Sequence, residues 1–86
     1  MNKQYTTHLI CAPDSAVSCK VALFHVKPGQ SVLRDQLLLT LVADDQHWPI
    51  HAPESGEVSQ LIVEIDEEIE SGDLLLMMEI EELPTG

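Results

Sequence analysis

Few side chains in this 86-residue sequence are equipped for chemistry, and their spacing limits what they can do. His47 and His51 would project from one outer face if their segment is a strand, with Asp44 and Asp45 nearby, which is the beginning of a metal-ligand set. Two imidazoles with loosely placed carboxylates do not close a coordination sphere, so surface histidines are expected here and no metal site is assigned. Cys11 and Cys19 stand eight positions apart, which is neither a zinc-knuckle nor a redox spacing, and both are expected as reduced thiols within strands. No Ser/His/Asp or Cys/His layout and no Gly-rich phosphate loop can be argued, and the acidic run 64–73 lacks the ligand rhythm of a calcium loop. No catalytic residue is assigned, and the chain is not expected to be an enzyme.

The elements that must position these groups are written twice. Ile10-Cys11-Ala12-Pro13-Asp14-Ser15 returns as Ile50-His51-Ala52-Pro53-Glu54-Ser55, an offset of 40 residues. Val26, Val32 and Leu37 to Leu39 return as Val63, Ile69 and Leu74 to Leu76, an offset of 37. Two copies are too few for a solenoid, whose repeats need about three or more units to bury their faces. Two halves closing on each other about a pseudo-twofold axis are expected instead. The repeat also makes Cys11 and His51 equivalent positions, but one equivalence is not a ligand set.

A chain of this length is expected to form one domain across residues 1–86, with an ordered core at about 8–82. With one Phe, one Tyr and one Trp, its interior must be aliphatic, suited to a thin packing of sheet on sheet. No run approaches the ~18 apolar residues of a membrane helix, and Met1 to His8 lacks the layout of a signal peptide, so a cytoplasmic protein without a membrane partner is expected. Charge is divided unevenly. Residues 1–49 balance Lys3, Lys20, Lys27 and Arg34 against Asp14, Asp35, Asp44 and Asp45, whereas residues 50–86 hold no Lys or Arg and carry the whole net charge of −11. Nucleic acid is excluded as a partner, because phosphate neutralisation needs clustered cations. An acidic half can solvate the fold or steer a basic protein partner.

Short apolar runs separated by Pro, Gly, Asp and Ser predict strands at 8–12, 18–26, 32–33, 37–42, 47–52, 56–65, 69 and 74–81, an all-β chain. Residues 66–80 have helix-forming acids, Leu and Met, but Ser71-Gly72-Asp73 interrupts them as Pro28-Gly29 interrupts the first copy. Alternation turns Trp48, Ile50 and Ala52 inward and leaves His47, Pro49 and His51 outside; Leu61, Val63, Ile65 and Ile69 likewise turn inward. Trp48 is expected to close the core beneath a hairpin whose tip lies near Asp44 to Gln46. Pro49 lacks a backbone donor, so its strand lies at an edge or pairs only on its carbonyl side there.

Val26-Lys27-Pro28-Gly29-Gln30-Ser31-Val32, the run 37–42, Ile50-His51-Ala52-Pro53-Glu54-Ser55-Gly56-Glu57-Val58 and Ile69-Glu70-Ser71-Gly72-Asp73-Leu74-Leu75 together resemble the biotin/lipoyl attachment domain, over roughly residues 8–82. The resemblance implies a flattened β-barrel, or barrel-sandwich hybrid, of two four-stranded antiparallel sheets with a tight hairpin where the halves join. It also implies that this hairpin displays a lysine, seven residues before the Ala of the Ala-Pro pair, acylated with biotin or lipoate. Counted back from Ala52, that position is Asp45. The Asp before it, Asp44, suits the lipoyl version, whereas the biotin version would place Met on both sides of the lysine. A carboxylate cannot form the amide, so no cofactor is expected, although biotin or lipoate would be expected of the family. Asp66 stands where the family usually has Gly, and Asp tolerates left-handed backbone.

The expected function is therefore that of an unmodified biotin/lipoyl-like domain that binds a protein partner through Asp44, Asp45, Gln46 and His47, possible hosts being a carboxylase or a 2-oxo-acid dehydrogenase complex. The alternative is a true swinging-arm carrier modified on another lysine. Lys3 precedes the first strand, Lys20 falls in a strand and Lys27 in a turn, none of them at the hairpin.

Overall fold

The computed structural model describes residues 4–16 and 18–82. Eight strands follow in order: β1 Gln4–Cys11, β2 Cys19–Phe24, β3 Ser31–Val32, β4 Leu37–Ala43, β5 Gln46–His51, β6 Gly56–Leu61, β7 Glu68–Ile69 and β8 Leu74–Glu82. They form two four-stranded sheets in the orders β1-β8-β6-β3 and β5-β4-β2-β7, with every pairing antiparallel. Each sheet takes two strands from each copy, so neither half can bury its apolar face alone. Between the sheets lies an aliphatic core in which Val21, Leu38, Leu39, Leu41, Val58, Leu75, Leu76 and Met78 are fully buried.

The repeat is reproduced at the level of single hydrogen bonds. The Gly29 N–H donates to the Val58 carbonyl at 2.7 Å, and 37 residues later the Asp66 N–H donates to the Val21 carbonyl at 2.8 Å. The Lys27 N–H meets Gln30 Oε1 at 3.1 Å as the Glu64 N–H meets Glu67 Oε1 at 3.0 Å. In both cases a side chain three residues on satisfies the donor that opens a tight turn. These turns need left-handed backbone, and the copies supply it differently. Gly29 (φ 88) is matched by Asp66 (φ 71), and Asp35 (φ 69) by Gly72 (φ 85). Asp is one of the few non-Gly residues that accepts this region cheaply, as the sequence led us to expect at Asp66.

Consecutive buried leucines in one strand contradict simple alternation, and bulges reconcile them. The ladder skips Leu38 between Leu37 and Leu39, and its equivalent Leu75 between Leu74 and Leu76, so both residues of each pair face the core. A second equivalent pair of bulges falls at Ala22 and Ser59. Gly56 opens β6 against β8, where a Cβ would sit 2.5 Å from the Glu79 carbonyl oxygen. That close backbone approach admits no side chain.

Several sequence expectations need correcting. β1 begins at Gln4 rather than at residue 8, because β8 runs long enough to pair Gln4 with Glu82. β2 is confined to Cys19–Phe24, β3 shifts to Ser31–Val32, and Leu33 enters a turn at 72% exposure. β6 stops at Leu61, short of residue 65. The chain leaves the sheet there, so the period of two lapses and Ile65 is exposed in the turn before Asp66 rather than inward. Val63 and Ile69 are buried as expected, and Leu61 packs on the core at its margin.

Cys11 on β1 is exposed and Cys19 on β2 is buried. Titration of the native protein with a thiol reagent should therefore consume Cys11 alone, with Cys19 reacting after denaturation. Burial pushes the Cys19 thiol up from its ordinary value of 9.0. The folded chain then keeps a proton that the unfolded chain releases. Stability contributed by this thiol is complete below the unfolded value and is lost as pH rises through the folded one. Replacing Cys19 by Ala should flatten the fall in urea midpoint above about pH 9, and a wild-type curve already flat would contradict the assignment.

Candidate functional site at the β4–β5 hairpin

β4 and β5 are joined by the two-residue turn Asp44-Asp45, closed by the pair Ala43 and Gln46. Two-residue hairpins need a positive φ in the turn, and Asp44 supplies it at φ 54. Below the tip the ladder continues with Val42 opposite His47, Leu41 opposite Trp48 and Thr40 opposite Pro49. Leu41 is fully buried, and Ala43 and Trp48 pack against the core from its margin, so the stem is anchored to the core while Asp44, Asp45, Gln46 and His47 are all exposed. Trp48 thus closes the core beneath the hairpin, and β5 lies at a sheet edge, one of the two placements Pro49 allows.

The tip borders a shallow groove of about 460 Å³ lined by Ser15, Ala43, Asp44, Asp45, Gln46 and Trp48. Sequence reading missed Ser15 as a site residue. Ser15 ends the first copy of the repeated block, and its counterpart Ser55 accepts the Arg34 N–H at 3.0 Å.

His47, Pro49 and His51 lie outward on sheet β5-β4-β2-β7, and Lys20 falls in the same row as Val42 and His47. His25 Nε2 and Thr40 Oγ1 are 3.1 Å apart beside them. The outer face of the other sheet is acidic: Glu57 pairs in register with Glu79, whose carboxylate accepts the Thr7 hydroxyl at 2.8 Å. The strands β6 and β8 thereby gather second-half acids on this face, while Glu68 on β7 stands opposite Lys20 in the other sheet.

No three His, Cys, Asp or Glu side chains among the described residues are placed to hold a metal. Cys11 pairs with Leu74 in one sheet, and His51 with Leu37 in the other. Lys20 stands in mid-strand opposite Val42 and Glu68, Lys27 opens the Pro28-Gly29 turn, and Lys3 lies outside the described residues.

Two similar halves interleaved into two sheets, with one two-residue hairpin at their junction, define the barrel-sandwich class of small attachment domains. The chain belongs to the biotin/lipoyl family: residues 8–78 match the family model described as "Biotin-requiring enzyme". It is 36% identical over 74 residues to the dihydrolipoyllysine-residue acetyltransferase component of the pyruvate dehydrogenase complex of Pseudomonas aeruginosa, covering 84% of this chain and 14% of that protein. It is 30% identical over 63 residues to the dihydrolipoyllysine-residue succinyltransferase component of the 2-oxoglutarate dehydrogenase complex of Azotobacter vinelandii, covering 73% of this chain and 16% of that protein. Among solved structures, the lipoyl domain of the 2-oxoglutarate dehydrogenase complex from Azotobacter vinelandii aligns with a TM-score of 0.63 at 28% identity, over 78% of this chain and 85% of that domain. A single-chain, multi-domain long-chain acyl-CoA carboxylase aligns with a TM-score of 0.75 at 18% identity, over 84% of this chain and 7% of that one, a likeness of fold alone. The chain thus spans about one-seventh of the enzyme components it matches.

The family's cofactors are held by an amide to a lysine. The hairpin tip does not fit them, since Asp44 and Asp45 offer carboxylates and no amine.

Proposed function

We propose that this domain displays an unmodified hairpin and acts by docking it onto a protein component of a 2-oxo-acid dehydrogenase or carboxylase type assembly. The observation that carries this reading is the Asp44-Asp45 turn, where the family geometry would present its acylated lysine. A carboxylate there cannot be joined to lipoate or biotin, yet the stem beneath it is anchored to the core as a displayed tip requires. Asp44, Asp45, Gln46 and His47, with Ser15 and Trp48 lining the adjoining groove, form the contact surface. The domain itself catalyses nothing on this reading. The two dehydrogenase relatives support a 2-oxo-acid dehydrogenase host over a carboxylase.

Binding of the immobilised domain to purified components of each assembly type from the same organism tests the docking. Asp44→Asn with Asp45→Asn, which keeps the left-handed turn and removes both charges, should weaken capture of one component by about tenfold, and Leu33→Ala, an exposed residue of the β3–β4 turn, should leave it unchanged. Equal binding by both variants would move the docking surface elsewhere.

A further inference from the structure

The four sheet edges of this domain are not alike. β3 and β7 are two residues long, and β5 carries Pro49, devices that discourage pairing with another chain. β1 has eight residues, Gln4–Cys11, with no Pro, Asp, Glu, Lys or Arg among them. Its one partner among the described strands is β8, and no backbone hydrogen bond from any other described residue reaches it. Tyr5 and Leu9 are 57% and 59% exposed on the outward side, with Thr7 between them.

We propose that the β1 edge is a symmetric interface at which a second copy of this chain adds its own β1, antiparallel, joining two four-stranded sheets into one of eight. The register is self-complementary about Thr7. Tyr5 falls opposite the partner's Leu9, Thr7 opposite the partner's Thr7, and Leu9 opposite the partner's Tyr5, all on the outward face. Aromatic–aliphatic pairs of this kind are favourable across strands, whereas each Thr7 hydroxyl stays donated to its own Glu79. Centring on Thr6 or His8 instead would break the Tyr5–Leu9 match. The charge of −11 does not forbid it. The nearest carboxylates, Glu79 and Glu81, are on β8, and the two β8 strands would stand three strand spacings apart, about 14 Å, beyond the Debye length of about 8 Å in physiological salt. A single strand pair is a small interface, so the dimer is a weak one.

Sedimentation of the intact chain from about 10 µM to about 1 mM should show reversible, concentration-dependent dimers. Leu9→Lys removes both Tyr5–Leu9 matches and should weaken association by about tenfold or more, with little change in thermal midpoint, because Leu9 is exposed and stands opposite Met77 rather than an acid. In a Cys11→Ser background, Thr7→Cys should give a symmetric disulfide dimer with oxidised glutathione as electron acceptor, since directly opposed residues stand about 4.5–5.5 Å apart. Leu23→Cys, exposed on the other sheet, should not. A wild type that stays monomeric to about 1 mM, or Thr7→Cys crosslinking no faster than Leu23→Cys, would overturn the proposal.

Discussion

Leu39→Ala and Leu76→Ala are expected to lower stability by about 2–5 kcal/mol each, and by similar amounts. Both side chains are fully buried, and they occupy the same place in the two copies, each following a bulged leucine. Truncation removes the burial of several methyl and methylene groups and leaves a cavity that a core assembled from both copies cannot collapse around. A domain of this size has about 4–13 kcal/mol in total, so the double variant should be unfolded at room temperature. Urea denaturation with unchanged m-values is the readout. A cost below about 1 kcal/mol for one leucine and a large cost for the other would show that the hydrogen-bond symmetry does not extend to the energetics of packing.

Asp45→Lys should convert the hairpin from inert to modifiable. Asp44, not Asp45, carries the left-handed backbone, so a lysine at 45 meets no conformational penalty, and an exposed substitution of this kind costs about 0.5 kcal/mol or less. The new ammonium would follow Asp44, the acid that suits a lipoyl site. Co-expression with a lipoate ligase should add one lipoyl group to this variant. Replacing Lys20 and Lys27 by Arg in the same chain should leave the gain intact. A modified peptide containing any lysine other than the one introduced would contradict the hairpin as the display site.

The fold was legible because it is repeated. The Ile-x-Ala-Pro-acid-Ser block and the spaced Leu runs announced two similar halves closing on each other, and Pro49 pointed to an edge or a carbonyl-side pairing for β5, which the structure places at an edge. Ile65 was misread for a physical reason. Alternation reports a face only while the chain stays in the sheet, and the turn at Asp66 removes residue 65 from it. The bulges at Leu38 and Leu75 were illegible in the same way, since one extra residue in a ladder leaves no mark in composition. At the site, the block's second copy served as a ruler that picked out Asp45 as the tip residue. Ser15 was missed because it approaches the hairpin through space, from a turn far away in sequence.

On the proposed reading, the hairpin of this biotin/lipoyl-family domain carries no cofactor. The most direct measurement is the intact mass of the wild-type chain purified after co-expression with lipoate and biotin ligases, each with its cofactor supplied. The expected result is the mass of the bare polypeptide in both cultures. A lipoyl or biotinyl group on Lys3, Lys20 or Lys27 would contradict it and make the domain a swinging-arm carrier.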